Sequence, residues 1–324
     1  MNRCPSIKYL LVLPRIRVQN ANAVSSPLTH GFPSMTAFLG LSWALERKAR
    51  AAGLPLSFRA VGVVCHAHDE QVTQGGYVNS FCLTRNPVDR TGSTAAIVEE
   101  GRIHLELSLV FGIHSDYWDD AHRSQDVATL WTLLEGMRIA GGSVLPRPTV
   151  TARRLRPWVV DLTGSEDDQR KAFREVCVRL LPGSALVARD DLIDTRVEAL
   201  RPENPRANRL DAWLSLSRIN WRHDAGANEG KGQWSHDRKG LGWIVPIPVG
   251  YGALGPLHPA GSVANARDGT TSFRFVESLY SVGEWIGPHR LRTASDLLWY
   301  ADSRPDEGLY RCRNDYRPLA AADI

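Results

Sequence analysis

An unbroken apolar run, Tyr9 to Leu13, gives way after Pro14 to alternating positions and then to an almost wholly polar loop. Residues 7–18 therefore read as a strand with at least one buried face. Beyond Gly31-Phe32-Pro33-Ser34 the period lengthens. Ala37, Leu41, Ala44 and Leu45 fall on one side of a helix over 34–51, which Gly53-Leu54-Pro55 ends. The Val-rich stretch 56–66 reads as a second strand, so the chain begins β-α-β, one half of a ferredoxin-like unit. The segment 69–101 is polar and punctuated by Gln74-Gly75-Gly76, Arg85-Asn86-Pro87 and Arg90-Thr91-Gly92-Ser93, which predicts a projecting loop or hairpin. Ile103, Leu105, Leu107 and Leu109 alternate as a strand over 103–112, and a helix follows over 124–138.

The pattern changes after Arg153, Arg154 and Arg156. Residues 167–181 form an amphipathic helix that stops at Pro182-Gly183, and further helices fall near 189–200 and 209–219. Residues 222–240 lack apolar periodicity and predict a mobile loop. A strand resumes over 242–249, and a last helix is expected at 289–300 behind Gly287-Pro288. The fold class is α+β. Both chain ends, 1–150 and 236–324, build the core, and 151–235 is a mostly helical insertion.

Composition adds little to the fold but narrows the chemistry. The 324 residues carry a net charge of only +4, yet 34 of the 39 basic residues are Arg. Arg grips phosphate with a planar fork and stacks on bases, although GC-rich coding favours Arg as well. Five Cys at odd spacings, with no C-x-x-C pair, exclude a disulfide framework or a zinc site and predict reduced thiols. No stretch approaches the roughly 20 apolar residues of a membrane span. A soluble, cytoplasmic protein is expected.

The polar loop is the richest candidate. Arg15 and Arg17 sit on the incoming strand, followed by Gln19, Asn20, Asn22, Ser25, Ser26 and Thr29. The helix start at Ser34 offers unpaired N–H groups and a partial positive charge. Such a set suits a phosphodiester backbone and base edges, and it contains no nucleophile or metal-ligand set. Arg85, Asn86, Arg90 and Ser93 crowd a second turn-rich segment. Gly240 to Gly252 is Gly-rich and aromatic, where backbone can approach RNA closely and Trp243 or Tyr251 can stack a base. Asn265 and Arg267 follow. The run from Gly226 to Gly232 fails the phosphate-loop spacing and lacks a Ser or Thr after Lys231. His66, His68, Asp69 and Glu70 point to a surface pair, because no further ligands follow at a metal spacing. A lone His30 does not make a base, an acid and a charge stabiliser.

Taken together, LPRIRVQNANAVSSPLTHGFPS (13–34), VGVVCH (61–66), LTRNPVDRTGSTAAIVEEGR (83–102), MRIAGGSVLP (137–146), RLLPGSALV (179–187), GWIVPIPVGYGAL (242–254), NARD (265–268), GEWIGPHR (283–290) and SDLLWY (295–300) resemble the second Csy subunit of type I-F CRISPR-Cas surveillance complexes, a family of the RAMP superfamily. The resemblance spans nearly the whole chain and is weakest over 147–178 and 222–240. It implies a ferredoxin-like, RRM-related RAMP core with a projecting element. It implies a non-catalytic, antiviral role without a cofactor or metal. The partners implied are the 5′ handle of the crRNA, the large Csy subunit as a heterodimer, and the backbone Csy subunits that this chain caps. Target DNA is met, if at all, through the assembled complex. Arg138 joins the candidate RNA-binding residues on this basis. The alternative is a RAMP endoribonuclease that cuts CRISPR repeat RNA, for which His30, His66 or His68 would be required.

Overall fold

Three long strands, separated in sequence by a helix and a hairpin, set the frame. The structure, a computed structural model, describes residues 3–85, 87–89, 91–116, 118–147, 155–225, 232–266 and 268–318. Strands β1 (Tyr9–Asn22), β2 (Val24–Ser26) and β3 (Thr29–His30) precede helix α1 (Met35–Ala51). Then come β4 (Ser57–Gly75), β5 (Val78–Arg85), β6 (Ile97–Glu100), β7 (Arg102–His114), α2 (Asp120–Glu135), β8 (Arg138–Ile139) and β9 (Gly142–Val144). The middle holds β10 (Trp158–Asp161), α3 (Glu166–Arg179), β11 (Ser184–Ala188), α4 (Asp190–Leu200), α5 (Arg209–Leu216), β12 (Trp221–Asp224) and β13 (Gln233–His236). The chain ends with β14 (Trp243–Ala253), β15 (Val276–Ile286), α6 (Ala294–Leu297), β16 (Trp299–Arg304) and β17 (Leu309–Asn314).

Most strands join one sheet in the order β11-β15-β14-β17-β16-β4-β7-β1-β9-β8. Strand β10 also pairs with β1, and β5 and β6 extend the far end of β4. β7 is antiparallel to both β4 and β1, so these two run parallel with β7 between them and α1 as their crossover. The C-terminal strands β16 and β17 lie beside β4, so both chain ends share the sheet. The segment 151–235 supplies helices, but it also supplies β10 and β11 to this sheet.

The unbroken apolar run of β1 has a direct cause: the strand is buried on both faces. Tyr9, Leu11 and Leu13 enter the core under α1, with Phe38, Leu45, Val61, Val63, Leu107 and Leu109. Leu10 and Val12 enter the core on the other face, with Val110, Phe173, Val176, Leu297 and Leu298. A third cluster packs Ile193, Val197, Trp213 and Leu216 of α4 and α5 against Ile244 and Val282. Each fully buried side chain of this kind contributes about 1.5–3 kcal/mol.

Two expectations are corrected. The helix expected at 289–300 shrinks to a 3₁₀ turn at Pro288–Arg290 and the single turn α6. Trp299 and Tyr300 leave it for β16, where Trp299 pairs with Val61 and Asn314. The Asn314 side-chain amide donates to the carbonyls of Asp296 and Leu298, at 2.9 and 3.0 Å, and so ends the helical turn. The stretch 222–240, read as a mobile loop, holds the β12–β13 ribbon. It shows no apolar period because the ribbon buries nothing. Most of the rejected phosphate-loop run, 226–231, lies outside the described residues.

Candidate nucleic-acid interface

β1 is interrupted where its charge begins. The register with β7 shifts between Leu13 and Ile16, and Arg15 adopts a left-handed φ of 53°. A bulge re-aims side chains. Here it turns Arg15 onto Glu106 at 2.9 Å and the Pro182 carbonyl at 3.2 Å. The Arg15 N–H donates to the buried Ser108 hydroxyl at 3.1 Å. His66 bridges the same points: Nδ1–H donates to the Pro182 carbonyl and Nε2 accepts from Ser108, both at 2.7 Å. Burial lowers the His66 pKa, and Arg15 adds to that. The Pro182 carbonyl and Glu106 oppose the shift. Both ring nitrogens are occupied, and the shift favours the neutral form.

Much of the polar loop is also bonded to itself. Asn22 donates to the Val24 carbonyl and accepts the Val24 N–H. Ser25 and Ser26 meet Thr29 Oγ1 at 2.8 and 2.6 Å, closing the β2–β3 turn. Ser34 caps α1, accepting the Thr36 N–H and donating to the Pro248 carbonyl. Arg17 reaches the Pro146 carbonyl. Asn20 has a left-handed φ of 57°, and its N–H donates to His104 Nδ1. Among the described residues, the exposed side chains of Gln19 and Asn20 make no hydrogen bond.

Two depressions result. A cavity of about 380 Å³ lies where the loop, β4, β7, β11, β14 and β15 meet. Ser25, His30, His66, His68 and Glu70 give it a polar side, and Trp243, Pro246, Ile247 and Trp285 give it an apolar side. The aromatic side is braced. Trp243 meets Trp285 at 6.3 Å, Trp285 meets Phe32 edge-on at 4.8 Å, and Phe32 stacks on Phe38 of α1 at 5.5 Å. His30 faces Glu70 at 3.9 Å and rests on Phe81. The second depression, a polar cleft of about 400 Å³, brings together Gln19, Asn20, Gln71, Thr84, Arg102, Arg138 and Ser143 at the root of the projecting strands. Arg102 and Glu100 pair there at 2.6 Å, and this hydrogen bond holds the carboxylate below its usual range.

The candidates therefore divide. Gln19, Asn20 and Arg138 share the cleft, and Ser25 lines the cavity. Arg85 and Ser93 are exposed on the projecting segment, and Ser93 donates its N–H to Asp89. Tyr251 stacks on Tyr310 at 6.5 Å near the far end of β14, and Asn265 is exposed with a φ of 58°. Asn86, Arg90 and Arg267 lie outside the described residues. Sequence reasoning missed Trp285, Gln71 and Arg102. Gln71 lies on a polar strand end with no apolar alternation, and Arg102 stands just before the alternation of Ile103, Leu105, Leu107 and Leu109, which fixes the strand but not the cleft it faces.

A family profile described as CRISPR-associated protein (Cas_Csy2) matches residues 11–312. The chain belongs to that family. The curated CRISPR-associated protein Csy2 of Pseudomonas aeruginosa (strain UCBPP-PA14) is 48% identical over 310 residues, which cover 93% of this chain and 94% of its own. This is the family that the sequence motifs resemble, and its members are Csy subunits of type I-F CRISPR-Cas systems. The span matched to Csy2 contains every residue lining the cavity and the cleft. Among the described residues of this Csy2-family chain, no cluster of three His, Cys, Asp or Glu could hold a metal, and no helix is long and apolar enough to cross a membrane.

Proposed function

We propose that this chain is a non-catalytic RNA-binding subunit that acts in the cytoplasm. It holds the 5′ handle of the crRNA with the large Csy subunit and caps the row of backbone subunits. One observation carries the reading. The polar β1 loop, the β4 histidines and the β14 tryptophan, far apart in sequence, converge on one braced aromatic-and-polar cavity, with a second polar cleft nearby. Splayed bases of single-stranded RNA are recognised by such aromatic faces and hydrogen-bonding edges. Gln19, Asn20 and Arg138 would read or anchor the strand in the cleft. Arg17, Ser25, Trp243 and Tyr251 would extend the path, with Arg85, Asn86, Arg90 and Ser93 reaching from the projecting segment and Asn265 and Arg267 from the other side. Arg15, Asn22, Ser26 and Ser34 would shape the loop. The order β9-β1-β7-β4, with α1 and α2 as connections, supports a ferredoxin-like, RRM-related core made from 1–150 and 236–324 with an insertion at 151–235.

The test is handle affinity at physiological salt. A net hydrogen bond is worth about 0.5–1.5 kcal/mol, and a stacked base about 1–3 kcal/mol. Gln19→Ala with Asn20→Ala and Trp243→Ala should therefore weaken handle binding by roughly 30-fold or more. Unchanged affinity in a folded variant sinks the assignment.

A second reading has one observation behind it: His30, His66 and His68 all line the cavity. Against ribonuclease chemistry, both His66 nitrogens are already bonded within the fold. His30→Ala, His66→Ala and His68→Ala should leave guide RNA ends unchanged, read by sequencing the co-purified RNA. Uncut precursor in any of the three would favour the nuclease instead.

A further inference from the structure

Between α5 and β14 the chain forms a ribbon, β12–β13, that pairs with no other strand among the described residues. Its register sets Trp221 opposite His236 and His223 opposite Trp234. Residues two apart on a strand share a face, so all four rings stand on one side of the ribbon. The opposed rings touch, with centroids at 4.9 Å for Trp221–His236 and 5.0 Å for His223–Trp234. Both indoles nevertheless face water, 57% and 63% exposed. The other side carries Arg222, Asp224, Gln233 and Ser235. No aliphatic residue occurs in either strand.

An isolated two-stranded ribbon is marginal in water. This one is fixed at its base, where Asp237 accepts from Arg196 and from the Asn220 N–H. The aromatic face is left open. The centre of a protein interface is rich in aromatic and other apolar area that interdigitates with the partner. This face instead sets each indole beside an imidazole. Flat rings with hydrogen-bonding edges match unpaired bases, which stack on Trp and His regardless of sequence. The charge is complementary too. Apart from the Arg222–Glu203 and Arg196–Asp237 pairs, the described residues of 218–239 carry Arg218, Arg238 and Lys239 against Asp224. Cations beside stacking rings attract a phosphate backbone.

We propose that the open face of β12–β13 is a second nucleic-acid site, a stacking platform for the unpaired bases of a single strand. None of its four rings lines the cavity or the cleft. The test uses the full chain in the assembly in which it purifies, with fluorescein-labelled uridine and thymidine dodecamers as separate probes. Anisotropy should show Trp221→Ala/Trp234→Ala weakening at least one dodecamer by roughly tenfold or more, with Trp221→Phe/Trp234→Phe restoring it to within about threefold. The dodecamer that responds tells RNA from DNA. A 4-thiouridine or 4-thiothymidine dodecamer, matching the strand that responds, should also cross-link to 221 or 234 in the unaltered chain, a measurement that needs no variant to fold. Unchanged affinity for both dodecamers, or no cross-link on the ribbon, overturns the proposal. Loss of a co-purifying protein with both affinities intact overturns it in favour of a protein interface. Handle affinity in the Gln19, Asn20 and Trp243 variants is read separately with the ribbon intact, so failure of one site is distinguishable from failure of the other.

Discussion

His66 shows how a residue singled out for chemistry can be claimed by architecture. Its two nitrogens join the Pro182 carbonyl to Ser108, which in turn receives the Arg15 N–H, so three strands and the approach to β11 meet at one imidazole. Burial is the main reason its pKa falls below the usual 6.5. The unfolded chain keeps the ordinary value and takes up its proton first as pH drops. The stability tied to this group is therefore complete above pH 6.5 and declines as pH falls below that value. Imidazole NMR should give a His66 midpoint below 6.5, and His66→Gln should flatten the loss of stability on acidification from pH 7. A midpoint at or above 6.5 would contradict the half-buried, hydrogen-bonded assignment. Arg15 was legible as a basic residue, but nothing local reveals that Glu106, some ninety positions away, holds its guanidinium.

Among the elements, β4 and α6 explain why the final helix is so short. Gly62 sits in mid-strand with Leu297 directly above it, and a Cβ there would fall 2.5 Å from Leu297 Cγ. Gly112 on the neighbouring strand leaves room for Leu298 and Ile7 in the same way. The two glycines form a shallow seat for one helical turn, and Trp299 then continues as a strand with its indole N–H on the Leu186 carbonyl at 2.8 Å. Gly62→Ala overpacks this seat and should cost about 1–3 kcal/mol of unfolding free energy in urea titration. Leu297→Val in the same background should recover part of it. Wild-type stability in Gly62→Ala would show that the seat is loose. The helix start behind Gly287-Pro288 was visible in the sequence. The competing strand partners, Val61 and Asn314, were not.

At the scale of the whole molecule, the apolar and aromatic residues of the C-terminal part divide between core and surface. Ile286, Leu297, Leu298, Trp299 and Tyr300 are buried. Leu254, Leu257, Phe275 and Val276 remain exposed on neighbouring segments, joined by the Leu254 N–H to the Phe275 carbonyl at 3.0 Å. A patch of this kind marks an interaction surface. The large Csy subunit is the partner proposed above. A partner that binds only the folded chain stabilises it by about 2.7 kcal/mol at a hundredfold excess over Kd. Mixing should accordingly raise the melting temperature, and Leu254→Ser with Phe275→Ser should abolish the rise without lowering the melting temperature of the chain alone. A sharply melting chain that gains nothing from the partner would remove this patch as the interface.

Whatever depends on neighbours a few residues apart was legible before any contact was known. The β-α-β start follows from periodicity, as do α1 with its Ser34 cap, the helices over 166–179, 190–200 and 209–216, and the strand from Trp243. The motifs spread over 13–300 also identified the family, because a long ordered set of strings does not need contacts to be recognised. What the polar residues do emerged from the packed fold. A hydrogen bond from Arg15 to Pro182, a cavity wall shared by His30 and Trp243, and four rings on one face of a ribbon all depend on strand register and direction. Register is fixed by long-range pairing and by two-sided burial of β1, and pairing between distant segments leaves no local pattern to read.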